Sequence, residues 1–136
     1  IKRVGDQVME VRPKTGKPHK GVDLFAPPGT PITAARSGRV KRVVDGRNSS
    51  REAAKLAGLW VDVEVGQQID RYLHLGEAKV VAGQKIKRGE LVGIVAEAGT
   101  SGTGEGPHLH FEVRAGDYTS DRQDYGTPIN PKFEVV

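Results

Sequence analysis

Histidine is the residue type in this chain that is best suited to hydrolytic chemistry, and its four copies fall into three short motifs. His19 lies four residues before Asp23, His74 lies within RYLHL, and His108 and His110 lie within GPHLHFEV. Imidazole and carboxylate groups are ligands that zinc accepts, and imidazole also transfers protons near neutral pH. The grouping therefore predicts a hydrolytic zinc site.

The motif His108-Leu109-His110 is the most specific of the three if it forms a strand. Residues two apart on a strand point to the same face, so both imidazoles would face one groove and Glu112 would join them. Leu109 and Phe111 would face the core. An edge strand with two exposed histidines is the alternative, and spacing alone does not say which histidine would bind a metal.

The pair His19 and Asp23 is interpreted from reach. A fully extended chain would hold their α-carbons ~13 Å apart, too far for both side chains to meet a zinc ion at ~2 Å. The backbone must therefore curl, and Gly21 tolerates a bend. Pro18 and the prolines at 27 and 28 argue against a helix, so we predict a bent strand or turn. The alternative makes Asp23 a turn residue and His19 a solvated one.

His74 is a lone histidine in an apolar segment. Such a residue is more often a hydrogen-bonded core residue than a catalyst. A zinc hydrolase nevertheless needs a proton shuttle in addition to its ligands, and the other three histidines already belong to ligand-like motifs. This economy favours a catalytic role for His74.

Short apolar runs separated by glycine and proline predict a mainly β fold to position these residues. The predicted strands are residues 32–35, 38–44, 59–65, 69–73, 91–96 and 109–113. One short helix is predicted near 49–58, where Ser49 and Glu52 form an S-x-x-E capping box and Gly58 is a natural stop. Helical spacing predicts its apolar face to be Ala53, Leu56, Ala57 and Trp60.

Composition sets the outer limits of the interpretation. A chain of 136 residues fits one domain over 1–136, which we expect to be part of a longer protein. The absence of cysteine excludes disulfides and cysteine-ligated zinc. No apolar run is long enough to cross a membrane, and an opening at Ile1 without an apolar leader predicts no export signal. The net charge of +4 favours an anionic partner, which could be nucleic acid, a membrane surface or the acidic polymers of a bacterial wall. The alternative is a mildly basic solvated surface.

Taken together, the motifs resemble those of the lysostaphin-type (LytM-domain) zinc metallopeptidases. The resemblance runs from about residue 12 to residue 131 and rests on four segments in order: HKGVDLFAP, YLHL, VVAGQKIKRGELVG, and GTSG followed by GPHLHFE. It implies an antiparallel β fold with an open groove that holds one zinc ion. It also implies cleavage of peptide bonds in bacterial peptidoglycan, in its cross-links or stem peptides.

Carried over by position, the resemblance makes His19, Asp23 and His110 the zinc ligands, and His74 and His108 the catalytic pair. Three protein ligands would leave a fourth position for water, as a catalytic zinc requires. An uncoordinated imidazole would accept the proton from that water and the other would steady the oxyanion. Which of the two histidines is the base stays open.

The chain departs from the family pattern at two places. Residues 45–59 insert the predicted helix where the family has a short glycine-rich turn, and we interpret the insertion as a surface elaboration rather than a substrate-contacting lid. Relatives that cut glycine bridges tend to carry a tyrosine in the loop before the first ligand, and residues 11–18 have none. This favours a D-alanyl cross-link or stem peptide over a pentaglycine bridge.

The resemblance predicts a monomer that acts on peptidoglycan peptides outside the cytoplasm, in the periplasm, in the cell wall, as a secreted enzyme or on a virion. The main alternative is a non-catalytic domain of the same fold that activates or scaffolds another wall enzyme. Since such domains lose ligands and this chain keeps all five positions, we favour the enzyme. A nucleic-acid-binding module is disfavoured by the few aromatic residues, a lipoyl-like carrier by the missing lysine turn, and a glycosidase by the missing carboxylate pair.

Overall fold

Antiparallel strands dominate the fold. The computed structural model describes residues 3–4, 21–104, 106–115 and 127–129, the first and last of these ranges by their backbone alone. The elements in chain order are β1 (Arg3–Val4), β2 (Val22–Phe25), β3 (Pro31–Thr33), β4 (Gly38–Asp45), α1 (Glu52–Ala57), β5 (Leu59–Val65), β6 (Gln68–Ala78), β7 (Lys85–Ile86), β8 (Leu91–Val95), β9 (His108–Ala115) and β10 (Thr127–Ile129).

The strands form one open antiparallel sheet system with the order β1-β2-β9-β6-β5-β4-β7. Strand β10 pairs with β9, and β8 bridges β3 and β6. The predicted mainly β, antiparallel fold is confirmed, and each of the six predicted strands corresponds to an observed one within a few residues. Strands β1, β2, β7 and β10 were not among the predicted strands, although a bent strand or turn was predicted for the segment that contains β2.

The long strand β6 changes partner along one edge. Its residues up to Leu73 pair with β9, and its residues from Leu75 pair with β8. The other edge pairs with β5 from Gln68 to Leu75, and the register shifts within this range. Leu75 is the partner of Leu59, and Tyr72 is the partner of Val61. Strand β6 therefore has one more residue than β5 between these pairs, which is a β-bulge. His74 lies in the bulge, between the two partner strands.

The two faces of the sheet differ in chemistry because side chains alternate along each strand. One face carries the main apolar core, which includes Val22, Tyr72, Val63, Leu109 and Phe111. Leu109 and Phe111 were predicted to face the core, and they do. The opposite face of β9 carries the alternate residues His108, His110, Glu112 and Arg114, all of them buried.

Helix α1 is shorter than predicted and begins later. Its N-cap is Arg51, and no side chain caps the helix, so the predicted Ser49–Glu52 capping box is wrong. The Ser49 hydroxyl instead accepts a hydrogen bond from the Arg51 N–H at 3.1 Å, which forms a turn before the helix. Gly58 ends the helix at φ 74°, as predicted.

The apolar face of α1 also differs from the predicted one. Ala54 and Ala57 are buried, whereas Leu56 is 60% exposed. Trp60 belongs to β5, where the change from a 3.6-residue to a two-residue period moves it off the helical pattern. A small second cluster of Ala54, Ala57, Trp60 and Leu73 packs α1 onto the sheet.

Candidate active site

Strands β2 and β9 place three of the predicted site residues side by side. Asp23 is the cross-strand partner of His110, and Phe25 is the partner of His108. Directly opposed residues share one face of an antiparallel pair, so Asp23 joins both imidazoles. Asp23 Oδ1 lies 2.7 Å from His110 Nδ1 and 3.8 Å from His108 Nε2. All three side chains are buried.

The β-bulge in β6 brings His74 to the same cluster. In a regular strand, His74 would point away from its neighbour Leu73, but the extra residue changes its direction. His74 adopts φ 67°, a left-handed conformation that is uncommon outside glycine. Its ring centroid lies 4.8 Å from that of His108 and 5.7 Å from that of His110. The structure thus brings together four of the five predicted site residues.

His19 lies outside the described residues, and so does the segment 11–18. The backbone of Gly21 packs directly against the cluster, because a Cβ added at Gly21 would lie 2.7 Å from both His110 Nε2 and Glu112 Cγ. Gly21 was predicted as a point of backbone freedom. In the structure, Gly21 is needed because it has no side chain, since only glycine lets the backbone approach His110 so closely.

His110 is held at both ring nitrogens by carboxylates. Nδ1 donates to Asp23 Oδ1 and Nε2 donates to Glu112 Oε2, each at 2.7 Å. Burial lowers the pKa of His110, but these two hydrogen bonds and the negative charges outweigh burial and raise it to about 9. Glu112 also accepts a hydrogen bond from Arg114 Nε at 2.8 Å. Burial raises the pKa of Glu112, but the bond to His110 and the nearby cations lower it to about 2.

His74 and His108 have a different environment, because backbone carbonyls bind their Nδ1 atoms. His74 Nδ1 lies 3.1 Å from the carbonyl oxygen of Ala57 and 2.9 Å from that of Ser101. His108 Nδ1 lies 2.8 Å from the carbonyl oxygen of Gly106. A carbonyl can only accept, so both rings carry a proton on Nδ1. Burial, together with the neighbouring His110 and His108, lowers the pKa of His74 to about 3.

The predicted ligands have suitable chemistry for zinc. Asp23 and His110 present an oxygen and a nitrogen 2.7 Å apart in a buried position, and zinc accepts both donor types. Among the described residues, no group of three or more histidine, aspartate or glutamate side chains has an arrangement that could hold a metal ion. Two of the three predicted ligands belong to those residues, and the third is His19.

A network of buried charges extends from Glu112 away from the cluster. Arg71, on β6, is the cross-strand partner of Glu112. Its Nε donates to Asp62 Oδ1 at 2.9 Å and its Nη2 donates to Asp62 Oδ2 at 3.2 Å. Sequence reasoning missed this network. Its signal was the presence of Asp62 within the apolar run LWVDVEV and of Arg71 at the start of RYLHL, since a buried charge must be paired.

Comparison with known proteins identifies the family. The model of Peptidase family M23 matches residues 17–131. The chain belongs to Peptidase family M23. This confirms the lysostaphin-type resemblance, and the M23 domain keeps histidines at all the motif positions named above.

Relatives of this M23 domain include wall-degrading enzymes. It is 38% identical over 97 residues to the peptidoglycan DD-endopeptidase ShyA of Vibrio cholerae, a match that covers 71% of this chain and 20% of ShyA. It is 31% identical over 105 residues to lysostaphin of Staphylococcus simulans, covering 77% of this chain and 20% of lysostaphin. The chain thus spans about a fifth of the length of these relatives.

Solved M23 structures share the fold. The catalytic domain of the prophage-encoded M23 protein EnpA of Enterococcus faecalis, solved as a mutant, matches with a TM-score of 0.73 and 30% identity. That match covers 93% of this chain and 86% of the EnpA chain. Within the described part of the M23 domain, no helix is both long and apolar enough to span a membrane.

Proposed function

We propose that this domain is a zinc-dependent endopeptidase that hydrolyses peptide bonds in peptidoglycan cross-links or stem peptides, outside the cytoplasm. The observation that carries the proposal is the convergence of one carboxylate and three imidazoles from three strands into one cluster. Asp23, His108 and His110 are buried in it and His74 is half-buried. Family membership and the printed activity of ShyA support the substrate class. Residues 1–136 would form one such domain of a longer protein.

His19, Asp23 and His110 would hold the zinc ion. When bound, zinc would supply the Lewis acidity that polarises the scissile carbonyl and activates the attacking water. Glu112 holds the His110 ring through Nε2 before any ligand binds, as an outer carboxylate does for a ligating histidine. The proton that Nδ1 donates to Asp23 would have to leave for His110 and Asp23 to bind the metal.

His74 and His108 would act on protons and on developing charge. Each carries its ring proton on Nδ1, bonded to backbone carbonyls, so in the neutral ring Nε2 is the nitrogen that can accept a proton. Because burial and the neighbouring imidazoles lower the pKa of His74, its ring is neutral at pH 7 and its Nε2 carries no proton. The member of this pair that does not act as the base would, in its protonated form, stabilise the developing oxyanion.

The first test measures zinc in the purified domain and the release of soluble peptides from purified peptidoglycan, with and without a chelator. We expect one equivalent of zinc and chelator-sensitive release of new amino termini, with the masses of the fragments giving the bond. Bound zinc with no cleavage of several wall types would favour the non-catalytic scaffold instead. A purified domain that binds no zinc would refute the proposed ligand set.

The second test separates the proposed roles. Asp23→Ala and His110→Ala should lose zinc, because each removes a ligand. His74→Ala and His108→Ala should keep most of the metal and lose turnover by roughly 10²- to 10⁴-fold, the usual contribution of a general acid or base. Equal loss of zinc in all four variants would contradict the division into ligands and catalytic residues.

A further inference from the structure

Ser101 is a buried residue that the proposed chemistry does not use. It lies in the glycine-rich loop before β9, is 6% exposed and adopts φ 51°. Its hydroxyl accepts a hydrogen bond from the Leu59 N–H and donates one to the Leu75 carbonyl, both at 2.8 Å. Leu59 and Leu75 are cross-strand partners, so the hydroxyl stands between the two strands immediately after His74.

The backbone of His74 needs such support. A non-glycine residue in the left-handed region costs about 1–3 kcal/mol and persists only where its surroundings fix it. His74 is also the point at which β6 leaves β9 for β8, and its carbonyl oxygen accepts a hydrogen bond at 3.4 Å from the N–H of Ala96, the residue that follows β8. Ser101 binds the bulge twice, through its hydroxyl at Leu75 and through its carbonyl oxygen at His74 Nδ1.

The inserted helix closes the same junction from the other side. The carbonyl oxygen of Ala57, the last residue of α1, lies 3.1 Å from His74 Nδ1. Gly58 packs so closely on Ser101 that a Cβ would overlap it, and a Cβ at Gly102 would lie 2.7 Å from His74 Nδ1. The insertion was predicted to be a surface elaboration, yet its end is in contact with His74.

We propose that Ser101 is a positioning residue of the candidate active site, which acts with the end of α1. Its hydroxyl holds the β6 bulge, and its carbonyl oxygen and that of Ala57 keep the His74 proton on Nδ1. Nε2 is thereby left as the one acceptor nitrogen of the ring. This inference rests on the proposed function only for the catalytic role of His74.

The first experiment measures the His74 ring directly by ¹⁵N–¹H NMR of the histidine side chains. The wild type should show the pattern of a single tautomer with the proton on Nδ1. Ser101→Ala, and Ser101→Gly, which relieves the positive φ, should shift or broaden the His74 signals. The matched control is Thr100→Ala, because the hydroxyl of this exposed neighbour donates to the Glu97 carbonyl within the loop, at 2.7 Å, and its loss should leave the pattern unchanged.

The second experiment uses turnover on peptidoglycan fragments. Ser101→Ala should lower kcat by roughly tenfold to a hundredfold, the cost of a misplaced catalytic group, with KM and zinc content close to wild type. The thermal midpoint should fall as well, because the Leu59 N–H and the Leu75 carbonyl lose their partner. In a His74→Ala background, Ser101→Ala should not lower kcat further, because Ser101 acts on kcat only through His74. Thr100→Ala should keep wild-type kcat.

Two results would overturn the proposal: an unchanged His74 pattern in both Ser101 variants, or an equal loss of kcat on adding Ser101→Ala to the wild type and to His74→Ala. Failure of the proposed function gives a different result. If His74→Ala keeps full activity, or if the wild type cleaves no wall peptide, the function is wrong, and the NMR pattern alone decides the role of Ser101.

Discussion

Glu112 is the residue through which the candidate site connects to the rest of the sheet. It accepts from His110 Nε2 and from Arg114 Nε, so its two oxygens join an imidazole to a guanidinium. A carboxylate bonded to a ligating histidine fixes the orientation of the ring and increases its basicity. Under the proposed ligand set, Glu112 would therefore contribute to the affinity for zinc by orientating His110, although it is not itself a proposed ligand.

We expect Glu112→Gln to weaken zinc binding by roughly tenfold to a hundredfold, the usual effect of losing such a partner. The amide keeps the shape of the side chain but removes its charge. Competition with a chromophoric chelator would measure the affinity. Glu77→Gln is the matched control, because Glu77 is exposed and pairs only with Lys79. Unchanged zinc affinity in Glu112→Gln would show that Asp23 alone orientates His110.

Residue spacing predicted part of this site. Alternation along β9 placed His108, His110 and Glu112 on one face, and the structure agrees. Alternation could not predict His74, because the bulge reverses the direction of one side chain and depends on tertiary contacts with Ser101 and Ala57. Ser101 itself gave no signal, since a serine in a glycine-rich loop usually indicates a turn.

At the scale of elements, the face of the sheet that carries the site is stabilised by buried ion pairs as well as by apolar packing. Asp62 on β5 and Arg71 on β6 are both 0% exposed and bind through two hydrogen bonds. Arg42 on β4 adds a third charge, with its Nε 3.5 Å from Asp62 Oδ2. The network thus ties three neighbouring strands together.

Asp62→Ala should reduce the free energy of unfolding by about 3–5 kcal/mol, because it removes the carboxylate that two hydrogen bonds join to the buried Arg71 guanidinium. Chemical denaturation would measure the loss. Asp45→Asn provides the comparison at an exposed pair, Asp45 with Arg47, where the cost should stay below about 1 kcal/mol. A similar small loss in both variants would mean that water reaches Asp62.

The sequence predicted the strands better than the helix. Six strands were recognisable because turn residues bound short apolar runs. The helix was misjudged at its N-terminus and on its apolar face, although its end at Gly58 was predicted. Ser49 matched a capping box but forms a turn with Arg51, and Trp60 matched the helical period by coincidence, since two elements meet at Gly58.

At the scale of the whole molecule, the metal-free domain should be most stable near pH 6.5, the ordinary pKa of histidine. His110 has a pKa raised to about 9, so its contribution is full below pH 6.5 and is lost as the pH rises through 9. His74 has a pKa lowered to about 3, so folding opposes its protonation and stability falls as the pH drops below 6.5. Glu112, with a pKa of about 2, adds to the acid loss.

Thermal unfolding of the chelator-treated domain between pH 3 and pH 10 would measure this dependence. His74→Phe should flatten the acid side, because it removes the buried group that must charge on unfolding, while leaving the alkaline side unchanged. A midpoint that rises steadily from pH 6.5 to pH 9 would contradict the environment described for His110.

The β6 bulge has a consequence for any attempt to move this constellation into another scaffold. A designer who copied Asp23, His108 and His110 onto a regular antiparallel hairpin would reproduce their relation, because cross-strand register alone supplies it. The fourth group would not transfer in that way. Grafting His74 would also require the additional residue of the β6 bulge, the Ser101 loop and the carbonyl at the end of α1. The smallest unit that could be grafted therefore has four chain segments: β2, the end of α1, the β6 bulge, and the Ser101 loop with β9.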